Sequence, residues 1–341
     1  MIRSLTLLLL PFAAQAEAIR VASFNTELSR EGPGLLLKDI QRQDPQVAAI
    51  VAVLVETRPD VVALQSIDWD LDGLAVQALI DALGSDGLSY PHWFSAQPNS
   101  GMATDLDMDG DGRMQQPGDA QGWGRFTGNG GLAVLSRHPI QTEDIRDFSD
   151  LLWKDLPGAT LPTQDGMPFP SAQAQEIQRL SSSAHWIVPI DTPLGRINLL
   201  TYHATPPVFD GPEDRNGLRN RDETRLWSLL LDGEFGEPPT VPFVIAGDAN
   251  LDPNAGDGHR QAMRDLLEHP KLQDPLPTTP EGDIATVEWK AVGEMRVDYV
   301  LPSTDWTVLD AGVHWPAPDT APGDAARAAS RHRLVWVDLT K

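Results

Sequence analysis

Six apolar runs of this chain each adjoin a polar residue whose side chain can move a proton, ligate a cation or hold an anion. These residues are Asn25, Gln65, His203, Asp248, Asp298 and His332. Carboxylates, imidazoles and amides are the groups that acid–base and phosphate chemistry require. Ligands of α/β proteins bind where strand ends converge. A single residue of this kind often only terminates a strand, but six in series favour one shared site.

The elements that must position these side chains alternate between strands and helices. Short apolar runs predict strands over residues 19–24, 61–64, 132–135, 187–190, 197–202, 243–246, 295–301 and 334–339. Apolar residues at helical spacing predict helices from Asp44-Pro45 onward, around 76–83, and over 222–231 and 258–267. Long loops rich in Gly, Pro and Asp are expected near 97–130, 154–176 and 314–330. We therefore predict an α/β fold with sheets sandwiched between helices.

The composition restricts the classes of protein and of partner. The 341 residues carry a formal charge of −23 and have an ordinary apolar fraction of 41%, which excludes a chain that is disordered throughout. The absence of cysteine excludes a disulfide scaffold, a zinc finger and a cysteine nucleophile. Because nucleic-acid binding usually needs a basic face, the charge favours cations and small substrates as partners and disfavours, without excluding, nucleic acid.

The first 16 residues have the pattern of an export signal. Arg3 precedes a short apolar run over residues 5–12, and Ala14-Gln15-Ala16 matches a cleavage site. We therefore expect residues 1–16 to be a signal peptide, residues 17–341 to form a single domain, and the protein to be periplasmic or secreted. The apolar run is too short to span a bilayer, and no second stretch is long enough for a transmembrane anchor.

The polar series resembles the endonuclease/exonuclease/phosphatase superfamily, which includes deoxyribonucleases, abasic-site endonucleases, inositol polyphosphate phosphatases and bacterial sphingomyelinases. The resemblance lies in segments that stand in the family's order over nearly the whole chain after residue 16: Ser-Phe-Asn25-Thr-Glu27, Asp60-Val-Val-Ala-Leu-Gln65, Leu135-Ser-Arg-His-Pro139-Ile, Tyr202-His203, Gly247-Asp248-Ala-Asn250, Arg296-Val-Asp298-Tyr299 and Ser330-Arg-His332-Arg. It implies a four-layered α/β sandwich, in which two mostly antiparallel mixed sheets pack face to face with helices outside.

The resemblance also implies roles in phosphate-ester hydrolysis. His332 would form a dyad with Asp298, and Asp248 would orient or deprotonate the attacking water. Asn250 would donate to a phosphoryl oxygen, and His203 would bind the phosphate or protonate the leaving group. Asn25 would hold a metal ion or a phosphate oxygen. Which group acts as the general base stays open at this point.

Two replacements predict an altered site for the family's divalent cation, magnesium or manganese. Ser66 and Arg331 stand where the family usually has acidic ligands. Three interpretations remain: Asp68 and Asp70, or Glu27, rebuild a displaced metal site, Arg331 takes the place of the metal and binds phosphate directly, or catalysis is lost. We favour the second, because the loss of one acid and the gain of one cation nearby are electrostatically consistent, and the bidentate geometry of a guanidinium suits a phosphate group.

A second acidic cluster resembles the start of a calcium loop. Asp105, Asp107, Asp109 and Asp111 alternate with other residues and are followed by Gly112, inside the predicted acidic insertion at about 97–130. Short oxygen ligands at this spacing suit Ca²⁺, and Gly permits the turn. Counted from Asp107, the twelfth position is a glycine rather than the expected glutamate, with Asp119 next. We expect calcium here, and a solvated acidic turn is the alternative.

The sequence thus predicts an exported hydrolase of phosphate esters, with diesters favoured over monoesters. The alternative is a non-catalytic protein of the same fold that binds a phosphorylated ligand. Retention of the Asp298–His332 pair favours the enzyme, because a pure binding protein has no need of it. The sequence specifies neither the substrate nor the oligomeric state.

Overall fold

A computed structural model describes residues 17–341, and the predicted signal peptide lies outside the described residues. The strands are β1 (Ile19–Leu28), β2 (Val61–Ile67), β3 (His92–Phe94), β4 (Gly131–Ser136), β5 (Arg146–Asp147), β6 (Thr163–Gln164), β7 (Met167–Pro168), β8 (His185–Thr192), β9 (Gly195–His203), β10 (Phe243–Asp248), β11 (Val287–Trp289), β12 (Gly293–Met295), β13 (Asp298–Pro302), β14 (Thr307–Val313) and β15 (Val335–Thr340). The α-helices are α1 (Leu35–Gln41), α2 (Pro45–Thr57), α3 (Leu74–Ser85), α4 (Ala172–Ile177), α5 (Arg215–Asp232), α6 (Gln261–Leu267) and α7 (Ala321–Ala329).

Two large mixed sheets form the centre of the fold. The first has the order β14-β15-β1-β2-β4-β3, and the second has the order β13-β10-β9-β8-β5. Each contains one parallel pair, β1–β2 in the first and β9–β10 in the second, and every other pairing is antiparallel. The four-layered sandwich of mostly antiparallel mixed sheets is confirmed.

Alternation along the central strands explains the layers. In β1, Val21 faces the core between the sheets, whereas Ala22 and Phe24 face the helices α1, α2, α3 and α7. Successive residues of a strand point to opposite faces, so a strand that is apolar on both faces must be covered on both. Helices α5 and α6 cover the outer face of the second sheet in the same way.

One glycine sets how closely the two parallel strands of the second sheet approach beside the site. A Cβ atom at Gly247 of β10 would lie 2.4 Å from the carbonyl oxygen of Tyr202 in β9. Only glycine fits there without movement of the backbone, and Asp248 and His203 come directly after these two residues.

The structure differs from the predicted elements at the C-terminal third. The strand expected over 295–301 is split, because β12 ends at Met295 and pairs with β11, whereas β13 begins at Asp298 and pairs with β10. The expected loop at 314–330 contains α7, which Thr320 caps through its hydroxyl. In the described part of the chain, no helix has the length and apolar character needed to cross a membrane.

Candidate active site

The site lies where the parallel pairs of both sheets end. Asn25 of β1 donates its Nδ2 hydrogen to Oδ2 of Asp248 in β10, at 2.8 Å. His203, the last residue of β9, places Nε2 3.4 Å from the same oxygen. Strand pairing forces this meeting, because Asp248 and His203 are register partners in the parallel ladder. The structure therefore joins three of the predicted residues across the two sheets.

His332 and Asp298 form the predicted pair. Nδ1 of His332 lies 2.9 Å from Oδ2 and 3.1 Å from Oδ1 of Asp298, and 3.8 Å from Oδ2 of Asp248. The hydroxyl of Thr286 donates to Oδ2 of Asp298 at 2.8 Å and fixes the carboxylate. Trp289 packs edge-on against the imidazole, with ring centroids 5.8 Å apart. Because Nδ1 faces Asp298, Nε2 is the ring nitrogen left to act on a ligand.

The charges around His332 keep its ring protonated. Burial would lower the pKa of His332, but the carboxylates of Asp298 and Asp248 outweigh burial and raise that pKa to about 9. At neutral pH the side chain is therefore an imidazolium. It can donate a proton or stabilise negative charge, but it cannot accept a proton.

Burial also shifts the pKa values of Asp248 and His203. Burial, reinforced by the charge of Asp298, raises the pKa of Asp248 above its usual value, although His332 and His203 oppose this. Burial lowers the pKa of His203 despite the nearby carboxylate of Asp248. The site thus combines a carboxylate of raised proton affinity, a neutral imidazole and an imidazolium, the mixture that general acid–base catalysis uses.

Asn250 sits in a strained turn directly after β10. Its φ of 48° lies in the left-handed region, which asparagine tolerates better than most residues. Its backbone N–H donates to Oδ1 of Asp248 at 2.8 Å, and its Nδ2 donates to the carbonyl of Ala204 at 3.0 Å. The turn therefore holds both the carboxylate and the amide in place, and strain of this kind is typical of functional sites.

Arg331 points to Glu27 and forms an ion pair with it. Nε of Arg331 lies 2.7 Å from Oε1 of Glu27, Nη2 contacts the same oxygen, and the backbone N–H of Arg331 donates to Oε2 at 2.7 Å. Burial disfavours ionisation of Glu27, but the hydrogen bonds from Arg331 outweigh it and lower the pKa of this carboxyl. The guanidinium side chain is still 63% exposed, so an incoming anion can reach it.

This ion pair bears on the family's divalent cation. Both oxygens of Glu27 accept hydrogen bonds from Arg331, and Oδ1 of Asn25 accepts one from the backbone N–H of Glu27 at 3.2 Å. A cation bound there would displace these donors and lie beside a guanidinium, which would repel it. The residues at this corner therefore do not fit a divalent metal ion.

Asp68 and Asp70 serve other parts of the fold. Asp68 accepts hydrogen bonds from the backbone N–H groups of Arg30 and Gly130 and from the Asn129 amide, and so ties three segments together. Asp70 accepts from Leu74 and Ala75 at the start of α3. Among the described residues, neither carboxylate belongs to a group of three close ligand-type atoms, and the same holds for Glu27, so the structure does not form the rebuilt metal site.

Two groups of described residues bring three ligand-type atoms within 4.8 Å of one another. One group is Asp248, Asp298 and His332 of the site itself, and the other is Asp107, Asp109 and Asp119 in the acidic insertion. Asp105 and Asp111, which the loop pattern included, are outside that second group. Burial and the charges of Asp111 and Asp119 raise the pKa of Asp109, although the nearby guanidinium of Arg215 opposes this.

The structure adds positioning residues that the sequence analysis missed. Asn220 of α5 is fully buried, and its amide donates to the carbonyls of Thr205 and Ala249, each at 2.7 Å. These carbonyls follow His203 and Asp248, so Asn220 fastens the two segments together. Polar residues inside an amphipathic helix were a signal, but only the fold shows which segments they face. Thr286, which holds Asp298, lies in a loop with no pattern to mark it.

Comparison with known proteins agrees with this architecture. The chain is similar to the solved structure of an endonuclease/exonuclease/phosphatase from Beutenbergia cavernae, at 21% identity and a TM-score of 0.58 over 95% of this chain and 71% of that one. It is similar to an endonuclease/exonuclease/phosphatase family protein from Leptotrichia buccalis, at 14% identity and a TM-score of 0.56 over 95% of this chain and 100% of that one. It is also similar to the human Nocturnin catalytic domain, at 13% identity and a TM-score of 0.53 over 95% of this chain and 94% of that one. These identities show the fold alone. No curated protein matches the sequence.

The family model described as Endonuclease/Exonuclease/phosphatase family matches residues 22–332, from within β1 to His332. That span contains every residue of the site described above. The chain therefore belongs to the endonuclease/exonuclease/phosphatase family, a family of hydrolases that act on phosphate esters.

Proposed function

We propose that this protein hydrolyses phosphodiesters at the Asn25–His203–Asp248–His332 site, with the Arg331–Glu27 ion pair in the place of the family's divalent cation. The observation that carries the proposal is that Oδ2 of Asp248 lies 3.4 Å from Nε2 of His203 and 3.8 Å from Nδ1 of His332, whose ring is protonated. Phosphoryl transfer depends on positioning and on charge stabilisation, and this cluster offers both.

The proposed reaction assigns tasks to Asp248, Asn250 and His332. Asp248 orients the attacking water and accepts its proton, which the raised pKa of this carboxyl favours. The water oxygen forms the new bond to phosphorus, and the ester oxygen leaves with its electron pair. The amide of Asn250 stabilises charge on the phosphoryl oxygens. The imidazolium of His332 gives its Nε2 proton to the leaving oxygen, because His203 is the neutral imidazole of the site.

The charge of the site supports a diester over a monoester. Three carboxylates, those of Glu27, Asp248 and Asp298, face two cations, those of Arg331 and His332. A phosphodiester carries one negative charge, whereas a phosphomonoester carries close to two at neutral pH. A site without excess positive charge repels the dianion more strongly, so the monoester is the poorer substrate.

Turnover of bis(p-nitrophenyl) phosphate and of p-nitrophenyl phosphate tests this proposal. After exhaustive dialysis against a chelator, the wild type should still hydrolyse the diester faster than the monoester. The His332→Ala variant should lose about 10²- to 10⁴-fold in kcat, whereas His92→Ala, in β3 and outside the site, should keep wild-type activity. Loss of wild-type activity on chelation, restored by Mg²⁺ with unchanged thermal stability, would reject the ion-pair assignment.

If no phosphate ester is turned over while phosphate compounds still bind, the alternative of a binding protein would stand instead. That outcome would leave the fold and the site geometry intact but remove the role given to Asp248. This outcome does not depend on whether a divalent cation is present, because binding of phosphate compounds is measured separately from turnover.

We further propose that the group Asp107, Asp109 and Asp119 binds Ca²⁺ and stabilises the insertion. The three carboxylates lie together, and oxygen donors of this density suit a hard cation. The proposed role is structural, because the reaction above assigns no step to these residues.

We also propose that the protein is exported and that cleavage follows Ala16. The support is the pattern of Arg3, the apolar run and the Ala-x-Ala site. N-terminal sequencing of protein recovered from outside the cytoplasm should begin at Glu17, and recovery of uncleaved chain from the cytoplasm alone would contradict export.

A further inference from the structure

An arginine-rich groove lies between α5 and α6, apart from the residues of the site. It has a volume of about 420 Å³. Its lining includes Arg221 and Arg225 of α5, Arg260 directly before α6, and Arg264 within α6. Four of the chain's 26 basic residues therefore face one small open cavity, in a protein whose net charge is −23. Such a cluster of positive charges in a protein of strongly negative net charge needs an explanation.

The two arginines of α5 are held in position by one buried carboxylate. Oδ1 of Asp222 accepts from Nε and Nη2 of Arg221, at 3.0 and 2.7 Å, and from Nη1 of Arg225 at 2.7 Å. Oδ2 of Asp222 is engaged by Trp153 and by the backbone of Thr160. A single negative charge thus orients two positive ones, and one positive charge remains unbalanced.

The two arginines on the α6 side are oriented by neutral groups. Arg260 donates to the carbonyl of Asn254 at 2.8 Å, and Arg264 donates to the amide oxygen of Gln261 at 2.9 and 3.1 Å. Among residues 17–341, no carboxylate lies within 4.0 Å of either guanidinium. The one acidic residue of the lining, Asp265, accepts from the Gln261 amide instead. The groove therefore holds preorganised guanidinium groups with excess positive charge.

The groove adjoins the segments that leave the site. A Cβ atom at Gly258, which lines the groove, would lie 2.4 Å from Leu251 and 3.0 Å from Pro207. Leu251 directly follows Asn250, and Pro207 lies four residues after His203. A phosphate group in the groove would consequently bind to a surface that packs directly on the site's two loops.

We propose that the groove between α5 and α6 binds a phosphate group through Arg221, Arg225, Arg260 and Arg264, as a second anion site distinct from the catalytic one. Guanidinium groups match phosphate in charge and in the geometry of their N–H donors. The phosphate has two candidate sources: free inorganic phosphate, or a further phosphate of the substrate beyond the ester that is cleaved.

Calorimetric titration of the full chain with inorganic phosphate and with pyrophosphate tests binding without reference to turnover. The Arg260→Gln/Arg264→Gln variant should bind at least one of these anions about tenfold or more weakly, since charged hydrogen bonds are lost. Arg260→Gln alone, at an exposed position, should lower the affinity by a smaller factor. It serves as the control for misfolding of the double variant. Arg327→Gln on α7 is the matched control and should bind as the wild type does. Unchanged affinity of the double variant, or an equal loss in the control, would overturn the proposal.

A second measurement separates the two sources and rests on the proposed function. If the groove holds a further substrate phosphate, the double variant raises KM for a short oligonucleotide but leaves KM for bis(p-nitrophenyl) phosphate unchanged. If both KM values stay unchanged while phosphate binding is lost, the ligand is free phosphate. Failure of the phosphodiesterase proposal removes this second measurement only, because the titration does not depend on catalysis.

Discussion

The backbone N–H of Arg331 and its Nε both lie 2.7 Å from a carboxylate oxygen of Glu27, one on each oxygen. The contact spans 304 positions of sequence and joins β1 to the segment just before β15. It places a fixed cation one residue before the imidazolium of His332. Arg331 therefore neutralises Glu27 and donates to both of its carboxylate oxygens, while much of the guanidinium side chain stays exposed to solvent.

Restoring acidic residues at the two replaced positions should convert the site to metal dependence. In Ser66→Glu/Arg331→Asp, the cation is gone and two carboxylates are added, so we expect Mg²⁺ to stimulate diester hydrolysis at least tenfold and a chelator to abolish it. Arg331→Gln is the control that removes the cation without adding a ligand. Metal titration of kcat is the measurement, and a double variant that is as insensitive to Mg²⁺ as the wild type would contradict the interpretation.

Asp298 should act through the protonation of His332. In Asp298→Asn the main opposing charge to the imidazolium is lost, so the pKa of His332 should fall below about 9 and kcat should drop about 10²- to 10⁴-fold. Titration of the His332 ring by NMR measures the first effect. Asp274→Asn, which breaks the Asp274–Arg296 ion pair elsewhere, should lower stability but leave that pKa where it was.

The pH dependence of diester hydrolysis should follow the two shifted groups. His332 must be protonated and its pKa is about 9, so kcat should fall as the pH rises through that value. Asp248 must be ionised and its pKa is raised, so activity should fall on the acid side at a higher pH than an ordinary aspartate would give. A rate profile from pH 4 to 10 checks both limbs, and a flat alkaline limb in the wild type would refute the role of His332.

The same shift gives stability a defined direction with pH. The folded pKa of His332 exceeds its ordinary value of 6.5, so its protonation contributes stability fully below about pH 6.5 and loses that contribution as the pH rises towards 9. Urea unfolding of the wild type at pH 6 and pH 9.5 should show this loss. His332→Gln should show a smaller loss over the same interval.

Asn220 should matter for the site although it touches no ligand. Asn220→Ala leaves the carbonyls of Thr205 and Ala249 without donors, and we expect a loss of about 3 kcal/mol in the free energy of unfolding together with lower kcat. Asn216→Ala, one turn earlier on α5, removes one bond to the carbonyl of Val208 and should cost less. Chemical denaturation and diester kinetics on both variants decide it.

Calcium should raise the melting temperature through three particular carboxylates. Millimolar Ca²⁺ should stabilise the wild type by several degrees, and Asp109→Asn should remove most of that gain because its carboxylate belongs to the clustered group. Asp111→Asn, in the same loop but outside the group, is the matched control and should retain it. A wild-type melting curve that does not move with Ca²⁺ would argue for a solvated acidic turn.

Local sequence patterns predicted most of the strands and the polar residues at their ends, because alternation and strand-end polarity are local features, whereas the four layers and the residue roles came from the family resemblance. The local patterns missed α7, whose Gly, Pro and Ala content resembles a loop, although Thr320 and Pro322 are good helix-start residues. They could not place Asp68 and Asp70, since the proximity of these two residues in sequence to the replaced ligand says nothing about which backbone amides they face. Nor could they pair Arg331 with Glu27, because that contact depends on how β1 and β15 lie in one sheet.

The hydrogen bond from Asn25 to Asp248 links residues 223 positions apart and runs from the first sheet to the second. Neither sheet alone contains a complete set of reacting groups, so no fragment holding one half can turn over substrate. Contacts of such long range form slowly. During refolding, recovery of hydrolysis should therefore report the docking of the two halves and lag behind the return of helical and strand signals.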